Sequence, residues 1–113
     1  MTHLKIDYVE LGSRNIGATT GFFAKAFGWT FADYGPEYQG FANAGIEGGV
    51  FAGEDDVLKP PLVILKTDDL AEAEKAVKLA GGVITQPPFS FPGGRRFHFR
   101  EPGGNEMAVW SET

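Results

Sequence analysis

Asn15-Ile16-Gly17-Ala18-Thr19-Thr20-Gly21-Phe22-Phe23-Ala24-Lys25-Ala26-Phe27-Gly28-Trp29 reads as a helix, and Asp69-Leu70-Ala71-Glu72-Ala73-Glu74-Lys75-Ala76-Val77-Lys78-Leu79-Ala80-Gly81-Gly82 reads as the same helix again. Each opens on a capping residue followed by an apolar one and closes on glycine. The offset is constant, since 70 − 16 = 54 and 82 − 28 = 54. Before them lie the strand candidates Ile6-Asp7-Tyr8-Val9-Glu10-Leu11 and Leu62-Val63-Ile64-Leu65, and after them come glycine-punctuated strand candidates. The chain therefore predicts an α+β fold of two βαβββ modules, repeated in pattern rather than in identity.

In the first helix Ile16, Thr20, Phe23 and Phe27 recur at helical steps and mark one buried stripe, widened by Phe22 and Ala26. Asn15 is the expected N-cap, and Gly17 and Gly21 each cost about 1 kcal/mol relative to alanine, so packing has to hold the helix. In the second, Asp69 to Glu72 has capping-box spacing, Leu70, Ala73, Val77 and Ala80 form the stripe, and Gly81-Gly82 ends it. Trp29 to Asp33, Glu37 to Asn43 and Ile46 to Ala52 read as an antiparallel meander, repeated by Val83 to Gln86, Arg95 to Glu101 and Glu106 to Ser111. Pro87-Pro88-Phe89-Ser90-Phe91-Pro92-Gly93-Gly94 is expected to lie outside regular pairing, as a packed loop or a hydrophobic lid. Residues 1–113 are thus expected to form a single domain: module one at about 4–52, an acidic, proline-ended linker at 53–61, and module two at about 62–111.

With 113 residues the chain can bury one core without staples. The absence of cysteine removes disulfides and thiolate ligands and fits a reducing compartment, so a cytoplasmic location is expected. Neither a signal peptide nor an apolar run of membrane-spanning length stands out. A net charge of −5 repels phosphate backbones, which argues against nucleic acid. Arg95, Arg96 and Arg100 form a local exception, a candidate patch for a small anion with the solvated strand flank as its bland alternative.

The duplicated pattern, Asn15-Ile16 through Phe27-Gly28-Trp29, and above all Gly94-Arg95-Arg96-Phe97-His98-Phe99-Arg100-Glu101-Pro102-Gly103-Gly104-Asn105-Glu106-Met107-Ala108-Val109-Trp110 resemble the vicinal oxygen chelate superfamily of glyoxalases, extradiol dioxygenases, fosfomycin-resistance and bleomycin-binding proteins. The resemblance implies curved sheets forming a ligand cleft, usually in a homodimer. It also implies where metal ligands would stand: at Tyr8 and Leu62 on the first strand of each module, at Ala108 on the last strand of the second, and within Gly48-Gly49-Val50 in the first. Leucine, alanine and glycine offer no donor and tyrosine only a rare phenolate, so no metal and no cofactor are expected.

Strand alternation sets Tyr8 with Glu10, Leu62 with Ile64, Arg96 with His98, and Ala108 with Trp110. These residues, with the aromatic Tyr38 and Phe41, are the candidate lining for a small organic ligand. Core packing is the bland reading of each singly. The resemblance to fosfomycin-resistance proteins implies a ligand contact at His98. The alternative is a glyoxalase- or dioxygenase-type enzyme, acting through a non-standard metal site or through His98 and Glu10 as an acid–base pair, against a bonded strand histidine and a solvated carboxylate. No nucleophile elbow or phosphate-cradling loop stands out. A protein-interaction module with a filled cleft is the third class. The leading expectation is a metal-free, homodimeric small-molecule binder.

Overall fold

The computed structural model describes residues 3–54 and 60–113; residues 55–59, within the expected linker, lie outside the described residues. The described residues contain eight strands and two helices and divide into two compact units, residues 8–62 and residues up to Asp7 together with 63–113. No helix among them is long and apolar enough to cross a membrane.

The first unit takes most of β1 (Lys5–Ser13), then α1 (Ile16–Phe27), β2 (Thr30–Asp33), β3 (Tyr38–Ala42) and β4 (Glu47–Ala52). Its strands lie in the order β2-β3-β4-β1, antiparallel except that β1 runs parallel to β4. The second unit is built from β5 (Leu62–Lys66), α2 (Leu70–Leu79), β6 (Val83–Phe91), β7 (Gly94–Arg100) and β8 (Glu106–Ser111). Its order β5-β8-β7-β6, with β5 parallel to β8, repeats the first.

The repeat extends to the joints between strand and helix. Asn15 caps α1 by accepting the Ala18 N–H at 3.0 Å, and Asp69 caps α2 by accepting the Glu72 N–H at 3.1 Å. Each cap donates its own backbone N–H to a buried hydroxyl two residues earlier, Asn15 to Ser13 at 3.0 Å and Asp69 to Thr67 at 3.2 Å. These hydroxyls share the helix offset, 67 − 13 = 54, and the second does the work that Glu72 would do in a full capping box. At the other end, Gly28 is left-handed at φ 76° and donates to Ala24 O. Gly81, at φ 100°, and Gly82 donate to Lys78 O and Val77 O and so end α2 in a Schellman motif.

The two helices pack differently. Leu70 and Ala73 of α2 are buried against Phe97, Phe99 and Val109, with Leu4, Leu65, Val77, Ile84 and Met107 around them. Helix α1 buries no residue completely. Its packing runs through one aromatic column, Phe23 stacked on Trp29 at 4.6 Å and Trp29 tilted against Phe41 at 5.2 Å. Phe22 and Phe27 flank that column and stay 59% and 60% exposed, so the expected stripe of α1 is narrower than its periodicity suggests.

The segment from Pro87 to Phe91 corrects the expectation of an unpaired loop: it continues β6, pairing Phe89 with Arg96 and Phe91 with Gly94. Register shifts fall between Ile84 and Gln86 and between Gln86 and Phe89. Within its unit β6 is the outermost strand, and bulged edges are where a sheet tolerates proline.

Candidate functional site

The strands of each unit have a face turned away from its helix, and the register says what stands there. In the first unit Tyr8 pairs with Glu47, Glu10 with Gly49, Gly40 with Gly49 and Tyr38 with Phe51. Opposed residues share a face, so Tyr8, Glu10, Tyr38, Gly40 and Gly49 stand together. Tyr38 starts on β3 and crosses β4 to reach β1. Its hydroxyl donates to Glu10 Oε2 at 2.9 Å and lies 2.6 Å from the Tyr8 hydroxyl. Gly49 makes the crossing possible, because a Cβ there would come within 2.0 Å of the Tyr38 oxygen. Burial, followed by the neighbouring Tyr8 hydroxyl and the Glu10 charge, drives the Tyr38 pKa far above the ordinary phenol value. Burial also raises Tyr8, with the Glu10, Tyr34 and Glu47 charges adding to it against the lowering hydrogen bond from Tyr38.

Phe41 is a correction to the expected lining. It lies on the opposite face from Tyr38, 5% exposed, under Trp29 and over Gly48. Three positions of separation place two strand residues on opposite faces.

In the second unit Ile64 pairs with Ala108, Lys66 and Arg96 with Trp110, and His98 with Ala108. Ile64 and Ala108, 3% and 0% exposed, form the floor of this face, and Leu62 stands half-buried at the start of β5. Above the floor runs a row of alternating rings and cations. The His98 ring lies 5.8 Å from Phe89, and the Arg96 guanidinium lies 5.5 Å from both the Phe89 and the Phe91 ring centroids. Phe91 lies 6.0 Å from Trp110, over which Lys66 Nζ sits at 4.9 Å. Trp110 is fixed by donating from Nε1 to Asp7 Oδ2 at 3.0 Å, and Lys66 pairs with Glu112 at 2.7 Å. His98 Nδ1 lies 3.7 Å from Glu106 Oε2, which also accepts from Thr85 Oγ1 at 3.0 Å.

Phe89 and Phe91, expected as loop aromatics able to stack on a flat ligand, join this face as strand residues, and Glu106, which alternation sets with Ala108 and Trp110, stands beside His98. Once β6 is recognised as a strand, alternation alone aligns Phe89 and Phe91 with Arg96 and His98.

The positions at which the resemblance implies metal ligands do not supply a donor set. Equivalence through the pairings Ile64–Ala108 and Glu10–Gly49, with 64 − 10 = 54, selects Gly49 as the fourth position. Its place is filled by the Tyr38 phenol. Tyr8 is held protonated, and Leu62 and Ala108 carry no donor. Among the described residues no three histidine, aspartate or glutamate side chains gather as metal ligands.

The sequence profile of the glyoxalase/bleomycin resistance protein/dioxygenase superfamily matches residues 5–109. A curated relative, the anthracycline biosynthesis protein DnrV of Streptomyces peucetius, is 28% identical over an alignment covering 91% of this chain and 45% of that protein. The chain thus spans about half the length of that relative. Among solved structures, a hypothetical protein from Bacillus halodurans C-125 superposes with TM-score 0.79 at 10% identity, covering 99% of this chain and 96% of that one. A glyoxalase/bleomycin resistance protein/dioxygenase superfamily member from Vibrio splendidus 12B01 superposes with TM-score 0.76 at 15% identity, covering 96% and 99%. At these identities the structural likeness speaks for the fold.

Proposed function

Because the chain belongs to the glyoxalase/bleomycin resistance protein/dioxygenase superfamily, we propose that it is a metal-free binder of a small, flat, anionic organic molecule, held on the ring-and-cation face of the second unit. The observation that carries this reading is Arg96 placed between Phe89 and Phe91, with Trp110 continuing the row. Rings hold a planar molecule through stacking, and a guanidinium fixed between two rings offers forked donors to a carboxylate or phenolate. The relative named for anthracycline biosynthesis makes planar polycyclic molecules the first class to screen. A thermal-shift screen of planar carboxylates followed by titration of Trp110 fluorescence tests the reading. Arg96→Ala is expected to weaken any hit about 10- to 100-fold, the range for a charged hydrogen bond. Unchanged affinity in both Arg96→Ala and Trp110→Phe would sink it.

A second reading, acid–base catalysis through His98, is supported by Glu106 at 3.7 Å, a carboxylate able to orient and charge the imidazole. Glu10 of the expected pair accepts from Tyr38. His98→Gln would then abolish solvent deuterium exchange into a bound ligand while leaving its affinity in place. A cytoplasmic homodimer completes the proposal, and a monomer in sedimentation at micromolar concentration would count against it.

A further inference from the structure

The first unit carries a hydrogen-bond chain that neither reading above uses, and counting its protons assigns each direction. Tyr38 has one hydroxyl proton and gives it to Glu10 Oε2. In the 2.6 Å contact between the phenols, Tyr8 must therefore be the donor and Tyr38 the acceptor. Tyr8 has then spent its only proton, and what remains on its oxygen is acceptor capacity. Both tyrosines stay neutral, so the chain does not rearrange by ionisation near neutral pH. Tyr8 is half-buried on the face opposite α1 and adjoins Glu47, its paired neighbour on β4, which is also an acceptor.

The chain is built rather than incidental. Tyr38 reaches Glu10 only because position 49 is glycine, and a Cβ at position 40 would likewise come within 2.9 Å of the Tyr34 ring. Both glycines let tyrosines lie across the sheet. A glycine in the middle of a strand weakens it, so their use here favours the phenol arrangement over strand stability.

We propose that the Tyr8 phenol is a ligand-recognition group acting as an acceptor, so that the first unit's face selects molecules bearing a hydroxyl or N–H donor. Tyr38 acts as the positioning residue that makes it so, by occupying the Tyr8 proton. The site goes beyond the anion-binding reading and shares no residue with it.

The test uses the full chain labelled with nitrogen-15 and two probes on the same ring system, 2-naphthol, which donates, and 2-methoxynaphthalene, in which a methyl group caps the donor. Binding is followed at the amides of Gly40 and Gly49, which lie beside Tyr38 on this face. The wild type is expected to prefer the naphthol by roughly three- to tenfold, the value of one net hydrogen bond. Tyr8→Phe should bring the ratio to about one by losing the acceptor. Tyr38→Phe should shrink it by a different route: Tyr8 regains a free proton and the ether improves, a gain that a merely structural role for Tyr38 would not produce. Equal affinities in the wild type, a preference surviving in Tyr8→Phe, or no perturbation of these amides by the naphthol would each overturn the inference. The anion-binding reading is tested apart from these outcomes, by the Arg96 and Trp110 variants.

Discussion

Laid over one another by strand register, the two units differ most where their topology is most alike. The pairings Val9–Gly48 and Val63–Met107 make the last strands equivalent at an offset of 107 − 48 = 59. The pairings Tyr38–Phe51 and Arg96–Trp110 then align Tyr38 with Arg96, Gly40 with His98, Gly49 with Ala108 and Glu47 with Glu106. On the first face two glycines clear the sheet, and tyrosines lie flat across it to reach a carboxylate. On the second the same positions carry an imidazole over an alanine floor, and an arginine stands between rings supplied by β6. One backbone thus carries an acceptor-rich surface in one copy and a cation-and-ring surface in the other. Chemistry on this fold is decided by a few strand positions and their neighbours, which is why family membership alone leaves function open.

The sharpest way to break the comparison is on the helix-facing side. Phe97 and Gln39 are equivalent, since they pair with Val109 and Val50. Phe97 is completely buried in the α2 core, whereas Gln39 donates to Asp33 Oδ1 and Gly35 O at the β2–β3 turn. Phe97→Ala is expected to cost about 3–5 kcal/mol in urea denaturation. Gln39→Ala should cost about 1 kcal/mol, the value of lost hydrogen bonds. Comparable losses would mean that the cores of the two units are less different than their packing indicates. Next in size is the exchange of floors. Gly49→Val would push a branched side chain into the Tyr38 phenol and should cost about 1–3 kcal/mol. Ala108→Gly, which removes a methyl group and loosens a strand, should cost about 0.5–1 kcal/mol.

Much of this was legible in the sequence. The 54-residue offset announced the repeat, and the caps Asn15 and Asp69 and the closing glycines Gly28 and Gly81 stand where periodicity put them. The structure fills in the joints, because Ser13 and Thr67 carry a spacing but no apolar signal. The β6 edge was misjudged since proline forbids a central strand but not a bulged outer one, and nothing in the local sequence says which strand is outermost. Phe41 was a readable error, because alternation already separates it from Tyr38. The Tyr38–Glu10 bond was not legible, since it depends on Tyr38 crossing an intervening strand at a glycine, a matter of register between segments distant in sequence. Glu106 beside His98 has the same cause, a pairing across β7 and β8.

The smallest expected effects lie in the pH dependence of stability. Tyr8 and Tyr38 have folded pKa values above the ordinary 10.0. Raised values hold the neutral phenols in the native state, so their contribution is complete below pH 10 and falls as pH rises past it, where only the unfolded chain ionises. Tyr38→Phe should flatten the alkaline limb of a stability–pH profile, and absorbance at 295 nm should show two tyrosines resisting titration until unfolding. The acid limb draws on both units, on Asp33 of the first, held below its ordinary value by the Gly35 N–H and then by Gln39, and on Glu101 and Glu112 of the second. Glu101 accepts the backbone N–H groups of Gly103 at 2.6 Å and Asn105 at 3.0 Å, along with the Asn105 side chain, in the β7–β8 turn. The Gly103 bond, ahead of the two from Asn105, holds its carboxyl below the ordinary 4.5. A depressed value contributes stability above pH 4.5 that is lost as pH falls through the folded pKa. The group lies at the protein surface under solvent screening, so Glu101→Gln should change only the slope of the acid limb and leave the alkaline limb untouched. If instead it moved both limbs, the turn and the tyrosine chain would be coupled.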